Sequence, residues 1–419
     1  MKEQILSILY RSLERFFGKP EECGGLDPAA VVAEHFSGYW DDQGIYPLAR
    51  LYALDEPGNP WRGRPVLLEC ARLMARKLFT QSEEVERRAF SPLIRAYGLL
   101  RSRPPDASEW KRGIQRLARE DLLPRLREMS RLTVLSSANV GYGTNHLAML
   151  VMGLSAYVKV FRGEGDFAEM DPGGPGVVEL AEEWLERFMD YMDEGGYWAE
   201  SDGPAQGYNT LTSSCLLRAA IDLGLLEKYR RRLEASAAYH TRHVFPNLET
   251  TGVTDGRNRS GRAGTRLDIC GLLPEGRFVM ERAMARCAEE SAAGGRSFSP
   301  EGCSILCHLL DELPYMCSEG RDIWRQEGWC FRTGSQFSVQ KSGPWMSAAS
   351  NIQFRPRPEG HWNLDYQNLF SLYHAAFGTV LRGSNSKNDP QLSTFNKAFT
   401  SFDGEPLERP MWKYVPGRG

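Results

Sequence analysis

The sequence lacks the long apolar runs and the one-sided charge that would assign a chain to a membrane or to nucleic acid. None of its apolar runs reaches the roughly 18 residues that a membrane-spanning helix needs. The formal net charge of −3 over 419 residues argues against sequence-independent binding to nucleic acid or to an anionic membrane. Hydrophobic residues make up 42% of the chain and charged residues 25%, which indicates a globular protein with one large core or two ordinary ones.

Several catalytic signatures are missing as well. No G-x-G-x-x-G opens a helix after a strand, and there is no GK[ST] phosphate loop or G-x-S-x-G nucleophile elbow, so nucleotide and serine-nucleophile chemistry find no support. The nine cysteines are scattered. Cys303 and Cys307 form the closest pair, without a second Cys/His pair at zinc-finger spacing, and we predict that both are core residues.

The N-terminal segment 1–20 alternates apolar and charged residues at helical spacing and shows no apolar core or cleavage site of a signal peptide. We therefore expect the chain as written to be cytoplasmic, or periplasmic or secreted if the N-terminus is incomplete.

Helical periodicity dominates residues 1–325. Apolar residues recur there at intervals of three and four between Gly/Pro turns, and the segment from Leu147 to Val160 is apolar nearly all round, as an inner helix is. Inner and outer helices in alternation predict a two-layered toroid, although a plain α-solenoid would give a similar pattern. Short aromatic and β-branched runs follow in residues 326–419 and predict either a small appended sheet or the front of a truncated domain.

Polar residues at the starts of two apolar helices form the main candidate site. Asn145 and His146 fall in the first turn of one helix, and Tyr208 stands at the entry of another, within YWAESDGPAQGYN. Unpaired N–H groups and the helix dipole favour an anion at such ends. His361 follows a glycine in a polar, aromatic-rich loop of the β segment.

Asn, Tyr and His together suit β-elimination at a uronic acid residue. An amide or a protonated histidine would neutralise the carboxylate and acidify the neighbouring C–H, while a base and an acid handle the protons. Tyr208 and His361 could divide those two tasks in either order, depending on the uronate epimer.

The order TNH, then ESDGPAQGY, then EGHWNLDYQNLFSLYH resembles the heparinase II/III-like polysaccharide lyases and their alginate-lyase relatives. The resemblance implies a mainly α fold, an incomplete (α/α) toroid followed by a short antiparallel β segment, with the active cleft between the two. It also implies that Asn145 and His146 neutralise the carboxylate, and that Tyr208 and His361 transfer protons.

Further residues are candidates for substrate binding. An Arg-rich, Gly-rich loop offers guanidinium groups that pair bidentately with carboxylate or sulfate, and acidic and aromatic residues flank the candidate cleft: Arg257, Arg259, Arg262, Arg266, Glu200, Trp198 and Trp362. We expect an acidic polysaccharide or oligosaccharide as partner, with no nucleic acid and no membrane. No cofactor is expected to be required, and no metal is expected at the catalytic site; Asp365 and His374 are the candidate ligands for a structural metal in the β segment.

Two other functions fit parts of the pattern. A toroid glycoside hydrolase would use Glu200 with Asp202 or Asp365, but the first two carboxylates are two residues apart and could not flank a bond from opposite sides. A non-catalytic glycan-binding relative would keep the toroid without the chemistry. The products distinguish the three, because only a lyase leaves an unsaturated uronate.

Overall fold

The computed structural model describes residues 1–38, 41–80, 87–102, 107–130, 144–162, 176–199, 204–254, 266–294, 298–333, 337–350, 352–353, 366–367 and 369–381. Helices come first in the chain. Their bounds are α1 Lys2–Phe17, α2 Pro28–His35, α3 Ile45–Ala53, α4 Pro65–Thr80, α5 Phe90–Leu100, α6 Ala107–Leu117, α7 Leu123–Ser130, α8 Thr144–Phe161, α9 Val177–Tyr191, α10 Gln206–Leu223, α11 Leu226–Arg242, α12 Pro274–Ala292 and α13 Pro300–Glu312.

The helices form two layers that differ in burial. In α8, 15 of 18 residues are buried, as expected for a helix with neighbours on every side. In α9, 7 of 15 residues are buried, and they recur at intervals of one and three along a single face. The inner layer consists of α3, α5, α8, α10 and α13, and one-sided helices such as α9 pack outside it.

The inner helices run parallel to one another. Arg218 of α10 lies 3.9 Å from the sulfur of Met152 in α8, and Asp222, one turn further along, bonds Lys159 of α8 at 2.9 Å. Two glycines allow α5 to approach α8 closely: a Cβ at Gly153 would lie 2.9 Å from Phe90, and one at Gly98 would lie 3.0 Å from Val160. The N-terminal ends of these helices therefore share one end of the fold.

The last inner helix returns to the first. Asp311 of α13 accepts hydrogen bonds from the hydroxyl of Tyr46 and from Arg50 Nε, the latter at 3.1 Å, and both donors belong to α3. An outer contact follows the same path, because Arg11 of α1 donates to the carbonyl of Ala288 in α12 at 3.3 Å. The helices thus curl into a ring, unlike those of an open solenoid.

The strands follow the helices as an antiparallel sheet. Their bounds are β1 Gly328–Thr333, β2 Phe337–Ser342, β3 Trp345–Ser350, β4 Ile352–Gln353, β5 Tyr366–Gln367, β6 Phe370–His374 and β7 Gly378–Leu381. The larger sheet has the order β1-β2-β3-β6-β7, with Phe337 opposite Ser350 and Trp345 opposite His374, and β4 pairs with β5 separately.

The sheet packs against the helical part through aromatic side chains. Phe337 of β2 contacts Tyr239 of α11 at a ring-centroid distance of 5.5 Å, and Tyr373 of β6 stacks on Phe245 at 5.5 Å. One hydrophobic core extends from Ile5 to Tyr373. The predicted fold class, an incomplete α/α toroid followed by a short antiparallel β segment, is confirmed.

Two further expectations can be compared with the structure. Cys303 and Cys307 are 1% and 0% exposed, which confirms their prediction as core residues. Within the described ranges, no helix combines the length and apolar character needed to cross a bilayer. The division into domains 1–325 and 326–419 stays a prediction, since residues 382–419 lie outside the described part of the chain.

Candidate active site

The first turn of α8 places Asn145 and His146 at the N-terminal end of the toroid. Thr144 begins the helix, and its hydroxyl donates to the carbonyl of Ala199 at 2.7 Å. Asn145 is 3% exposed, and His146 is half-buried. Both side chains therefore lie where the free N–H groups and the dipole of α8 favour an anion.

An arginine that the sequence analysis missed sets the state of His146. Arg87 Nη1 lies 2.7 Å from His146 Nδ1, and since a guanidinium can only donate, Nδ1 must accept and the ring proton must sit on Nε2. Burial, reinforced by the charges of Arg87 and Arg88, lowers the pKa of His146 to about 4. At neutral pH His146 is thus a neutral N–H donor, which corrects the expectation of a protonated histidine.

The segment 197–199 joins the two predicted helix starts. Asn209 in the first turn of α10 accepts from the backbone N–H of Trp198 and donates to its carbonyl, both at 2.7 Å. The next residue, Ala199, accepts from Thr144 of α8. Adjacent residues of one segment therefore hold the starts of α8 and α10, and the first turns with Asn145 and Tyr208 lie at the same end of the toroid.

Trp198 has a different role from the predicted one. Its side chain is 1% exposed, and the indole N–H donates to the carbonyl of Phe188 at 2.7 Å. A ring this deeply buried has no face available to a sugar. The prediction that Trp198 stacks on substrate is thus corrected: it anchors the segment between the two helix starts in the core.

Tyr208 lies in the first turn of α10 and is half-buried, next to the exposed Gly207. The helix start is fixed against the segment that follows α11, because the Gln206 N–H donates to the carbonyl of Thr254 at 3.1 Å and its side-chain amide to that of His243 at 3.3 Å. Tyr208 is therefore held on an anchored helix end instead of on a free loop.

Most of the predicted substrate-binding residues lie outside the described residues: Arg257, Arg259, Arg262, Glu200 and Trp362, together with the predicted proton-transfer residue His361. The ends that flank the Arg-rich loop are described, and both bond to α10. The carbonyl of Thr254 accepts a hydrogen bond from the N–H of Gln206, and Asp268 accepts one from the hydroxyl of Ser214. Arg266, at the second end, forms an ion pair with Glu301.

A buried ion network lies beneath the helix starts. Arg218 of α10 donates to Asp268 and to Glu312, each at 2.6 Å, and all three side chains are at most 7% exposed. Burial, opposed by Arg218, raises the pKa of Glu312 well above its ordinary value. A single Arg within the apolar run SSCLLRAA is a sequence signal for such a buried pair.

Of the two candidate metal ligands, His374 lies in the described part of the chain. His374 accepts the N–H of Ala376 at Nδ1, 3.1 Å away, and its ring stacks on Phe377. Asp365 is outside the described part, and within that part no group of three or more His, Cys, Asp or Glu side chains could hold a metal ion.

Comparison with known proteins adds evidence at the level of the fold. No family model and no curated protein matches the sequence. Among solved structures, the chain is similar to the chondroitin AC lyase of Streptomyces coelicolor A3, determined in complex with chondroitin sulphate, with a TM-score of 0.55 and 10% identity. The chain shares the fold of the aligned part of that structure. The match covers 89% of this chain and 54% of that one, so the chain spans about half the length of that structure.

The shared fold is consistent with the order of elements that the resemblance implies, helices first and strands second. A likeness at 10% identity does not distinguish one lyase family from another. The heparinase II/III-like assignment and the roles of individual residues therefore stay predictions.

Proposed function

We propose that the chain is a heparinase II/III-like polysaccharide lyase that cleaves an acidic, uronate-containing glycan by β-elimination. The observation that carries this proposal is the joint attachment of the two helix starts, through Thr144 and Asn209, to the single segment 197–199. It places an amide and an imidazole donor at the same end of the toroid as a phenol. Those are the groups that elimination next to a carboxylate requires.

Neutralisation of the uronate carboxylate falls to Asn145 and His146 in this proposal. The Asn145 amide and the His146 Nε2–H donate hydrogen bonds, and the dipole of α8 adds positive potential. Arg87 supplies the full positive charge that the neutral imidazole lacks, since its guanidinium lies 2.7 Å behind the ring. Stabilising the carboxylate in this way acidifies the proton on the adjacent carbon.

Tyr208 and His361 transfer the protons. The base removes the proton from the carbon that bears the carboxylate, the electron pair forms the new C=C bond, and the bond to the glycosidic oxygen breaks. The acid then protonates that oxygen. Which of the two is the base depends on whether the proton and the leaving group lie on the same face of the sugar, and therefore on the uronate epimer.

Substrate binding is assigned to Arg257, Arg259, Arg262, Arg266, Glu200 and Trp362. Both ends of the Arg-rich loop bond to α10, the helix that carries Tyr208, which supports a place for this loop beside the cleft. Guanidinium groups there would bind the carboxylates or sulfates of a polyanion. The proposed reaction needs no organic cofactor and no metal.

The test is an absorbance assay on a panel of uronate polymers, at the band of about 232 nm expected for an unsaturated uronate. Wild type should raise the absorbance, and Tyr208→Phe should lose about 10²–10⁴-fold in rate because it removes only the hydroxyl. Tyr315→Phe is a matched control, since Tyr315 is 43% exposed and lies away from the site. New reducing ends without absorbance would indicate a hydrolase, and binding with an intact polymer a non-catalytic relative.

A further inference from the structure

Tyr239 lies where four parts of the molecule meet. It belongs to the last turn of α11, and its side chain is fully buried. Its ring contacts those of Tyr197 and of Phe337 in β2, at centroid distances of 5.6 and 5.5 Å. Its hydroxyl donates a hydrogen bond to the side-chain oxygen of Thr254 at 2.9 Å. The residue therefore joins α11, the sheet, the segment 197–199 and the first end of the Arg-rich loop.

The hydroxyl of Tyr239 leads to Tyr208 through two hydrogen bonds. After the bond to the Thr254 side chain, the carbonyl of Thr254 accepts from the backbone N–H of Gln206 at 3.1 Å. Gln206 is the first residue of α10, and Tyr208 follows two positions later. The first N–H groups of a helix have no partner within it, so the direction of this helix start depends on outside acceptors. Thr254 is such an acceptor, and Tyr239 holds its side chain.

The ring of Tyr239 reaches Tyr208 from the other side. It packs on Tyr197, and the next residue, Trp198, has its backbone N–H and C=O both bonded to the side chain of Asn209 at 2.7 Å. Asn209 directly follows Tyr208 in α10. Tyr208 thus lies between two anchored residues of α10, and Tyr239 supports one anchor by its hydroxyl and the other by its ring.

The surroundings of Tyr239 are mainly aromatic. Tyr197, Tyr239 and Phe337 form a small buried cluster, and the ring of His243 lies 4.4 Å from that of Tyr239. A phenylalanine ring would fill the same space. A buried hydroxyl loses its hydration and is favourable only when it is hydrogen-bonded, as this one is to Thr254. Tyr239→Phe therefore removes the link to Thr254 and keeps the packing.

We propose that Tyr239 is a positioning residue for Tyr208. Its hydroxyl fixes Thr254, Thr254 fixes the first turn of α10, and this turn holds the Tyr208 phenol in the orientation that proton transfer requires. Proton transfer needs donor and acceptor within hydrogen-bond reach, so a small displacement of the helix start slows it. The catalytic part of this inference rests on the proposed lyase function, whereas the part that concerns the order of α10 does not.

Hydrogen exchange of the full chain, followed by mass spectrometry, tests the structural part. In Tyr239→Phe, the amides of residues 206–209 should exchange about fivefold faster, as expected when one hydrogen bond that opposes local opening is lost. Thr254→Val removes the accepting hydroxyl and should have the same effect, whereas Thr254→Ser keeps it and should exchange like wild type. The double variant Tyr239→Phe/Thr254→Val should exchange no faster than either single variant, because both interrupt one bond.

The uronate-polymer assay tests the catalytic part, with kcat expressed per mole of folded chain. Tyr239→Phe should lower kcat about fivefold and leave KM within about twofold of wild type, because the residues assigned to substrate binding are unchanged. Thr254→Val should lower kcat to the same extent. Thr254→Ser should retain the wild-type kcat, because the hydroxyl that accepts from Tyr239 is still present.

Tyr229→Phe is the matched control. Tyr229 is a buried tyrosine of the same helix, ten positions earlier, which corresponds to about 15 Å along the axis. The substitution should change neither the exchange of residues 206–209 nor kcat.

Wild-type exchange in Tyr239→Phe would overturn the proposal, and so would faster exchange with an unchanged kcat in an active enzyme. If wild type shows no lyase activity, the proposed function fails and the role in positioning a catalytic phenol fails with it. The exchange result still decides, in that case, whether Tyr239 orders the start of α10.

Discussion

The two ends of the inner-helix layer carry different kinds of polar groups. At the N-terminal end the structure places Asn145, the neutral His146 and Tyr208, where the helix dipoles are positive. At the C-terminal end it places arginines and a lysine, where the dipoles are negative. The N-terminal end thus offers neutral donors that can exchange protons, with the charge of Arg87 behind the imidazole, whereas the C-terminal end presents charged side chains directly. The difference teaches that a parallel ring of helices gives its two ends opposite dipole potentials, and that the side chains at each end differ as well.

Acidification is expected to have the largest effect on stability. Burial lowers the pKa of His240 to about 3 and those of His243 and His146 to about 4, and all three lie near the N-terminal end. In the unfolded chain these histidines bind protons near pH 6.5. The free energy of unfolding is therefore highest above that pH and falls as the pH drops towards 4. Each of the three histidines should lower the free energy of unfolding by roughly 2 kcal/mol at pH 5.

Urea denaturation at pH 7.5 and at pH 5 measures this loss. His243→Gln should reduce the difference between the two pH values, because it removes one of the groups that the unfolded chain protonates. An unfolding free energy that stays constant between pH 7.5 and pH 5 would contradict the prediction.

Removing the cation of the buried ion network is expected to have the next largest effect. Arg218→Met leaves Asp268 and Glu312 buried without their shared cation. We expect a loss of about 3–5 kcal/mol in the free energy of unfolding. Arg230→Met is the control, since Arg230 pairs at the surface with Glu227 and should cost less than about 1 kcal/mol. Equal losses in the two variants would show that the buried network stabilises the fold no more than a surface ion pair does.

Arg87→Met tests the charge behind the imidazole at the N-terminal end. The variant should lose about 10²-fold in lyase rate, the effect of deleting one group that stabilises developing negative charge. It should also raise the pKa of His146, because the cation next to Nδ1 is gone.

Side-chain ¹H–¹⁵N spectra recorded against pH report that pKa independently of activity. Arg101→Gln, at the C-terminal end, should change neither the lyase rate nor the pKa of His146. If Arg87→Met leaves the pKa of His146 unchanged, the assignment of the His146 tautomer is wrong.

Lys159→Met should have the smallest effect on stability. Lys159 is half-exposed, and Asp222 keeps its pair with Arg95, so we expect a change within about 1 kcal/mol in urea denaturation. A loss above roughly 2 kcal/mol would mean that the charged side chains at the C-terminal end maintain the fold.

Sequence periodicity predicted the layers because burial acts locally on each helix. The segment from Leu147 to Val160, apolar nearly all round, lies within the helix Thr144–Phe161, which is buried on nearly every side. Such patterns depend on which face of one helix is covered, and that information lies within about twenty residues.

The site depended on contacts that no local pattern contains. Arg87 and His146 are 59 positions apart, and Arg218 and Glu312 are 94 apart. The sequence predicts that Trp198 binds substrate, but two hydrogen bonds between its backbone and Asn209 fix the segment, and its ring lies in the core. Partners across such separations are set by how the helices curl, which residue spacing does not encode.

The contact between α1 and α12 has a consequence for synthesis. Arg11 and Ala288 are 277 positions apart, and the buried face of α1 includes Ile5, Ile8 and Leu9. At about 5–20 residues per second, a ribosome needs roughly 14–55 seconds to reach the partner helix. Throughout that interval the apolar stripe of the first helix is without its final neighbour, so the nascent chain presents a surface that a chaperone would recognise.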